Sequence, residues 1–311
     1  MANTFAPNGF QQYSGTGSAP TYEQVTVAIA SGNSTPIFYG DPVVQATNST
    51  GIGTGYIAQA SGSGPTALAV SGIVVTAGVA VATFTALSAA PAVGSTVVFT
   101  GTSFATGGGI NGAYQIIASS TTTVTFNVGS AYSSTLTFGT ATVFTPIAGV
   151  FVGCKYLSTA QKRPVWSNYW PGSDANGDVT GYIITDPNAQ FIVQTANSNT
   201  TATVVGAVGL SSVGQNIGFN YNDYTATGET NGNTANGLST YFADQYTLSA
   251  NGLGGYAANN YLPFRIISLA NNPIGATTNP LSSINGYDST TAYNKIVVGF
   301  NNSMPRALAG I

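Results

Sequence analysis

The chain has 311 residues, of which only 6 are Lys or Arg, 9 are Asp or Glu and none is His. A typical soluble domain is about 25% charged, whereas this chain is 5% charged and 43% hydrophobic. The hydrophobic content excludes a disordered polar chain, and the lack of His excludes catalysis by an imidazole. The few cations are mostly scattered, so nucleic acid is not an expected partner.

The low charge implies a surface covered mainly by Ser, Thr, Asn, Gln and Gly. Neutral hydroxyls and amides hydrogen-bond a partner without the desolvation penalty of ions, and a net charge of -3 gives little repulsion between copies. The composition therefore favours a protein that packs against other proteins. An extracellular β-protein with a neutral surface fits the composition equally well.

The single cysteine, Cys154, excludes an intrachain disulfide. Its neighbours in 150–156 are mostly apolar, so we expect a small buried side chain rather than a nucleophile. The N-terminal sequence lacks the basic and apolar regions of a secretory signal. The most apolar stretch, 77–92, is too short and too polar to span a bilayer, so we expect synthesis in a cytoplasm and no membrane partner.

Residues 1–24 are rich in Gly, Ser, Pro, Asn and Gln and show no period of 2 or 3.6. Phe5, Phe10 and Tyr13 interrupt this polar stretch. The pattern indicates an extended N-terminal arm whose aromatic side chains become ordered on a partner. A frayed terminus is the alternative, since chain ends are commonly poorly ordered.

Short β-branched and aromatic runs, separated by Gly, Pro and Asn, follow the arm and predict β-strands. A turn is predicted at Gly40-Asp41-Pro42. The strands predicted in this first part are 25–29, 37–39, 43–44, 56–60 and 68–75.

No charged residue occurs between Asp41 and Lys155, and inside this gap the chain changes to evenly spaced short strands with Gly-rich turns. Even spacing of this kind predicts a small sandwich or barrel. Segment 101–128 resembles a small β module that recurs in phage structural proteins. We therefore expect residues 73–148 to be a domain inserted into a host domain formed by 25–72 and 149–311. The strands predicted in the insert are 79–85, 96–100, 114–118, 124–128 and 140–144.

The host domain resumes with further strands, an aromatic loop or edge at 164–172 and a long loop at 220–236. Asp186-Pro187 is a turn signal, so the strands on either side of it are predicted to pair as a hairpin. Residues 238–248 fit a short helix or an irregular strand. The whole chain is thus predicted to be mainly β, with a sandwich- or barrel-like host domain. The strands predicted here are 149–156, 180–185, 190–195, 262–269 and 293–300.

Two motifs partly match binding or catalytic sites. Asp174-Ala175-Asn176-Gly177-Asp178 is similar to a calcium loop, but its Gly and Asp are in the wrong order and the closing Glu is missing. Gly51, Gly53 and Gly55 lack the helix that follows a dinucleotide-binding turn. We expect a surface turn in the first case and a flexible turn in the second, and therefore no metal, no cofactor and no catalytic residue.

Trp166, Tyr169 and Trp170 form an aromatic cluster that has two interpretations. Such side chains can stack on a sugar. More often they anchor a core or an interface, because they offer a large contact area at low entropic cost. Our predicted partner contacts are Phe5, Phe10, Tyr13, Trp166, Tyr169 and Trp170.

The order of these segments resembles a family of tailed-phage structural proteins, the head decoration or cement proteins. The resemblance rests on segments such as IFYGDPVVQATNSTGIGTGYIAQA, GVFVGCKYLSTAQKRPVWSNYWPGS and LPFRIISLANNPIG, and it covers most of 1–72 and 149–311. It implies a non-enzymatic virion protein on the outside of a phage head, which binds the major capsid protein, often as a homotrimer. The chain departs from the family pattern at 11–13, where members often carry an Arg, and by the inserted module.

Two other classes compete with this interpretation. A glycan-binding adhesin or tail-fibre module predicts an aromatic site with polar hydrogen-bonding groups. A polysaccharide depolymerase requires two or more convergent carboxylates. Only Asp174 and Asp178 lie close together in an aromatic context, so the distribution of acids argues against the enzyme.

Overall fold

The computed structural model describes residues 3–14, 24–61, 66–104, 109–129, 134–137, 140–198, 206–223, 231–248, 259–270 and 291–304. Within these ranges the chain forms 23 strands and three single-turn 3-10 helices, which confirms the mainly β prediction. No helix in the described ranges is long and apolar enough to cross a membrane. The 3-10 helices are Leu210–Ser212, Gln245–Thr247 and Asn259–Tyr261.

The strands are numbered in chain order. They are β1 (Gln11–Ser14), β2 (Gln24–Ile29), β3 (Pro42–Thr47), β4 (Gly53–Gln59), β5 (Thr66–Leu68), β6 (Val70–Thr76), β7 (Val79–Phe84), β8 (Thr96–Thr100), β9 (Ser103–Phe104), β10 (Gly112–Ser119), β11 (Thr123–Asn127), β12 (Ser134–Thr137), β13 (Thr140–Phe144), β14 (Gly149–Leu157), β15 (Pro164–Ser167), β16 (Val179–Ile184), β17 (Gln190–Ala196), β18 (Asn216–Asn220), β19 (Gly232–Asn233), β20 (Leu238–Ser239), β21 (Phe242–Asp244), β22 (Phe264–Leu269) and β23 (Lys295–Phe300).

The chain divides into two compact units. The first contains the described residues of 3–44, 56–61 and 147–304, and the second those of 45–55 and 66–146. The boundary placed between residues 72 and 73 on sequence falls inside β6. The second unit begins earlier because β5 pairs with β13 and β6 pairs with β7.

One sheet of the first unit closes on itself. Its strands follow the order β1-β17-β21-β18-β22-β23, and a further pairing of β17 with β23 completes a ring of five strands. Every residue of β18, and all but the first of β23, is buried. This ring encloses an aromatic core that includes Phe191, Phe264 and Phe300.

A second sheet of the first unit also closes. Its order is β15-β14-β16-β2-β4-β3, with an added β14–β3 pairing, so β15 is attached to the outside of a five-stranded ring. Ile29, Phe151 and Ile183 lie in its core. Both sheets fit the barrel-like host domain expected from the sequence.

The predicted hairpin around Asp186-Pro187 is wrong. Both segments are strands, but β16 pairs with β14 and β2, whereas β17 pairs with β1, β21 and β23. The backbone does turn there, since the Ala189 N–H donates to the Asp186 carbonyl at 2.9 Å. The turn carries the chain from one ring to the other, because partners distant in sequence occupy both edges of each strand.

The second unit is a nine-stranded sheet in the order β5-β13-β8-β10-β11-β7-β6-β12-β9. The first half of β10 pairs with β8 and the second half with β11, with a register shift between Ile116 and Ala118. In β7, buried and exposed residues alternate strictly. One face of the sheet therefore packs on a single core that includes Ile73, Phe99 and Phe126.

Candidate functional site

The N-terminal residues 3–14 lie on their own unit, so an arm free to dock on a partner is not confirmed over this range. Strand β1 pairs antiparallel with β17. The Gln194 side chain accepts from the Ala6 N–H at 2.9 Å and donates to the Thr4 carbonyl at 2.9 Å. Half-buried Phe5 packs on Phe242 and Tyr293, with ring centroids 5.9 and 5.4 Å away.

Phe10 is a core residue and not a partner contact. Its side chain is 1% exposed and stacks on Phe264 with ring centroids 4.3 Å apart. The Phe10 N–H donates to the Gly40 carbonyl at 2.9 Å. Burying a Phe side chain contributes about 1.5–3 kcal/mol, so the unit's own core stabilises this segment without a partner.

Trp170 is also removed from the set of accessible contacts. It is fully buried, its Nε1–H donates to the Asn33 carbonyl at 3.1 Å, and its ring meets Tyr156 edge to face at 5.4 Å. Tyr169 is half-buried and stacks on Phe38 at 5.4 Å with an interplanar angle of 3°. These residues anchor the second five-stranded ring of the first unit.

Tyr13 and Trp166 are the two predicted contacts that remain exposed, at 56% and 66%. Tyr13 lies on β1, which stands at one end of the strand order of its sheet. Trp166 lies on β15, which likewise stands at one end of the strand order of its own sheet. The indole of Trp166 stacks on Tyr182 with centroids 6.1 Å apart and an interplanar angle of 14°, and Lys155 Nζ lies 4.8 Å from its centroid.

Strand register explains how these side chains meet. Lys155 is opposite Trp166 on one side and opposite Thr180 on the other, and Tyr182 is opposite Thr26. Residues directly opposite in antiparallel strands share a face of the sheet, and this face is solvent-exposed. We call Trp166, Tyr182, Lys155, Thr180 and Thr26 the Trp166 face.

Gly153 allows a close approach between β14 and the backbone at the end of β15. It is opposite Tyr182 and lies on β14, between the strands that carry Trp166 and Tyr182. A Cβ on Gly153 would lie 2.9 Å from the Ser167 carbonyl oxygen, and its φ of +144° is unfavourable for other residues. Tyr182 could not be predicted as a contact from the sequence, because only the strand register brings it beside Trp166.

The calcium-like loop uses its carboxylates within the fold. Asp174 accepts from Ser158 Oγ at 2.5 Å, from Thr159 Oγ1 at 2.7 Å and from the Ala160 N–H at 2.7 Å, which lowers the pKa of this carboxyl. Asp178 accepts from the Tyr56 hydroxyl at 2.8 Å, and this hydrogen bond is the main cause of its lowered pKa. In the described ranges no group of three His, Cys, Asp or Glu side chains is placed to hold a metal ion.

Three further groups of the described residues, Cys154, Asp41 and Asp244, are enclosed. Burial raises the pKa of the Cys154 thiol to about 12, so the thiolate nucleophile is scarce at neutral pH. Burial also raises the pKa of Asp41 to about 7 and that of Asp244 to about 6. Strongly shifted acids often mark active sites, but both are at most 2% exposed and accept hydrogen bonds from neighbouring groups of the chain.

Among the sequence-predicted contacts, the structure thus leaves Tyr13 and Trp166 accessible, on different sheets. The Trp166 face combines two near-parallel rings with hydroxyl and ammonium groups. Such a face can bind a partner non-covalently. Comparison of the chain with models of known protein families, with curated proteins and with solved structures finds no match.

Proposed function

We propose that this protein is a structural subunit of a phage virion that binds the outside of the head and stabilises its lattice without catalysing a reaction. The observation that carries the proposal is the small number of charged residues, since the 311-residue chain has only 6 basic and 9 acidic residues. A neutral, β-rich surface associates with little electrostatic repulsion. The order of the sequence segments, which resembles the head decoration proteins, supports the same role.

Attachment is assigned to the edge formed by β1, with Tyr13 as the anchoring side chain. Tyr13 is 56% exposed, and β1 is the last strand of its sheet order. An edge strand offers backbone donors and acceptors to another chain. The partner in this proposal is the major capsid protein. The neutral surface favours self-association of the free protein, and the resemblance to the head decoration proteins implies that the oligomer is a homotrimer.

Salt dependence tests the attachment. Exposed ion pairs are screened within about 10 Å at 0.1 M salt, whereas apolar burial is not weakened in that way. We expect the number of copies bound per head to change by less than about twofold between about 0.05 and about 0.5 M sodium chloride. Gel densitometry of sedimented heads measures this number, and light scattering of the free protein measures the trimer.

A pair of variants locates the contact. Tyr13→Ala is expected to lower head occupancy, because an exposed aromatic anchor is lost. Trp166→Ala is the matched control, since it removes a comparably exposed aromatic side chain from the sheet that contains β15 and should leave occupancy unchanged. A steep loss of binding as salt rises, or full occupancy of the Tyr13→Ala variant, would contradict this mode of attachment.

A further inference from the structure

We infer that the Trp166 face is a carbohydrate-binding site that takes a neutral pyranose residue of a polysaccharide. The face belongs to a different sheet from β1, so sugar binding and head attachment are separate properties. The starting observation is a tryptophan that is 66% exposed yet held in place by Tyr182 and Lys155. A large ring fixed in an accessible position is a binding surface whose ordering entropy is already lost before the ligand arrives.

The rings suit the apolar side of a sugar. An aromatic face carries partial negative charge, and the C–H groups on one side of a pyranose carry partial positive charge. The interplanar angle of 14° gives Trp166 and Tyr182 nearly the same orientation. Lys155 Nζ, 4.8 Å from the indole centroid, further restrains the ring through a cation–π contact.

The polar groups around the rings suit sugar hydroxyls. Thr180 is opposite Lys155 and Thr26 is opposite Tyr182, and all of these share the exposed face. Asp178 lies two residues before Thr180, and the Tyr56 hydroxyl and the Ser31 N–H hold its carboxylate. Threonine hydroxyls both donate and accept, while the ammonium donates and the carboxylate accepts. Sugar hydroxyls require this mixture of donors and acceptors.

Charge and size decide the class of ligand. Lys155 and Asp178 carry opposite charges, so these two groups together favour neither an acidic sugar nor a cation. Leu157 and Pro164, which are opposite each other and two residues from Lys155 and Trp166, add a small apolar area beside the two aromatic side chains, and the other neighbours on this face are Thr and Lys. A stable protein interface buries about 1,200–2,000 Å² around an apolar centre, which these four apolar side chains do not supply. A neutral sugar ring matches this small apolar area.

One site of this kind binds weakly, but many copies on one particle bind a polymer strongly. Two linked sites convert the second binding event into an intramolecular one, which raises the avidity by about 10²–10⁴. The probe must therefore be polymeric or presented at high density. Suitable probes are insoluble α-glucan, cellulose, chitin and mannan, together with their soluble hexaoses.

The experiment measures retention of the full-length protein on these polysaccharides and its tryptophan emission with the hexaoses. The chain has two tryptophans, and Trp170 is fully buried, so a change in emission on binding reports Trp166. We expect retention on at least one neutral polysaccharide. Trp166→Ala should lower it by about tenfold or more, and Tyr182→Ala should lower it as well, while Tyr13→Ala, the matched exposed control, should retain wild-type binding.

Two results would overturn the assignment. One is no retention of the wild-type protein on any of the four polymers, and the other is retention that Trp166→Ala leaves unchanged. If the first result is accompanied by a loss of head occupancy in Trp166→Ala, the face is a protein contact. Head occupancy is measured separately. Failure of head binding therefore leaves the sugar-binding result unaffected, and failure of sugar binding leaves the head-binding result unaffected.

Discussion

Asp41 and Asp244 are carboxylic acids enclosed in the first unit. Asp41 accepts from the Phe38 N–H at 2.7 Å and from Gln59 Nε2 at 2.5 Å. Asp244 accepts from Ser198 Oγ at 2.5 Å and from the Tyr246 N–H at 3.1 Å. These hydrogen bonds favour the ionised form, but desolvation opposes it more strongly, so both pKa values are raised. Ionisation of these two carboxyl groups is therefore less favourable in the folded chain than in the unfolded chain.

This arrangement predicts that the protein is more stable at mildly acidic pH. Between the unfolded pKa of about 4 and the raised folded pKa, the folded chain binds more protons than the unfolded chain, so the free energy of unfolding falls as pH rises. The loss runs up to about pH 7 for Asp41 and about pH 6 for Asp244. Each unit of pKa difference corresponds to about 1.4 kcal/mol. Thermal melting from about pH 5 to about pH 8 should show a falling Tm.

Two substitutions check the origin of that slope. Asp41→Asn keeps the shape of the side chain but cannot ionise, so it should flatten the fall in Tm above about pH 6. Asp178→Asn is the control, because its folded pKa is lowered and its contribution is lost only as pH falls below about 4. A Tm that rises from pH 5 to pH 8 would contradict the prediction.

At the scale of elements, the segment that leads into β1 is part of the barrel core. Phe10 packs on Phe264 at 4.3 Å and on Phe219 at 6.3 Å. Removing the first 20 residues to test attachment would therefore also disturb the fold. Point substitutions separate the two roles because Tyr13, three residues away, is exposed.

We expect Phe10→Ala to destabilise the first unit by about 3–5 kcal/mol, since it leaves a cavity in a packed aromatic core. Tyr13→Ala should change stability by less than about 0.5 kcal/mol, as is usual for surface positions. Urea unfolding followed by circular dichroism measures both. Equal midpoints for Phe10→Ala and the unsubstituted protein would show that the segment before β1 is not integral to the barrel.

At the scale of the whole molecule, the two units have separate cores. Ala60 and Ile147, which precede and follow most of the second unit in sequence, belong to the same core of the first unit. The chain therefore leaves and re-enters one folded body. A stretch of this kind can be excised when the flanking residues are held by their own contacts, so its excision tests whether it is an inserted domain.

We expect a variant in which a short Gly-Ser linker replaces residues 66–145 to keep the first unit folded. The two five-stranded rings of the first unit are closed by pairings that involve only β1–β4, β14–β18 and β21–β23. A cooperative thermal transition with a β-type circular dichroism spectrum is the expected result. A variant that shows no folded signal would mean that the first unit depends on the second.

Sequence alone determined the positions of many strands and the mainly β class. The predicted bounds 96–100 and 140–144 coincide with β8 and β13, and 25–29 and 79–85 differ from β2 and β7 by one residue. These features are local: β-branched residues favour extended backbone, and Gly and Pro end it within a few residues.

Only the tertiary structure decided which strands pair and which side of each aromatic segment faces a core. Trp166 and Trp170 are four residues apart, yet one is 66% exposed and the other is fully buried. Phe10 was predicted to contact a partner because the sequence does not show that its side chain stacks on Phe264, which is 254 positions away. Strand partners and buried faces depend on contacts between distant segments, and a shift of one residue in register exchanges the two faces of a strand.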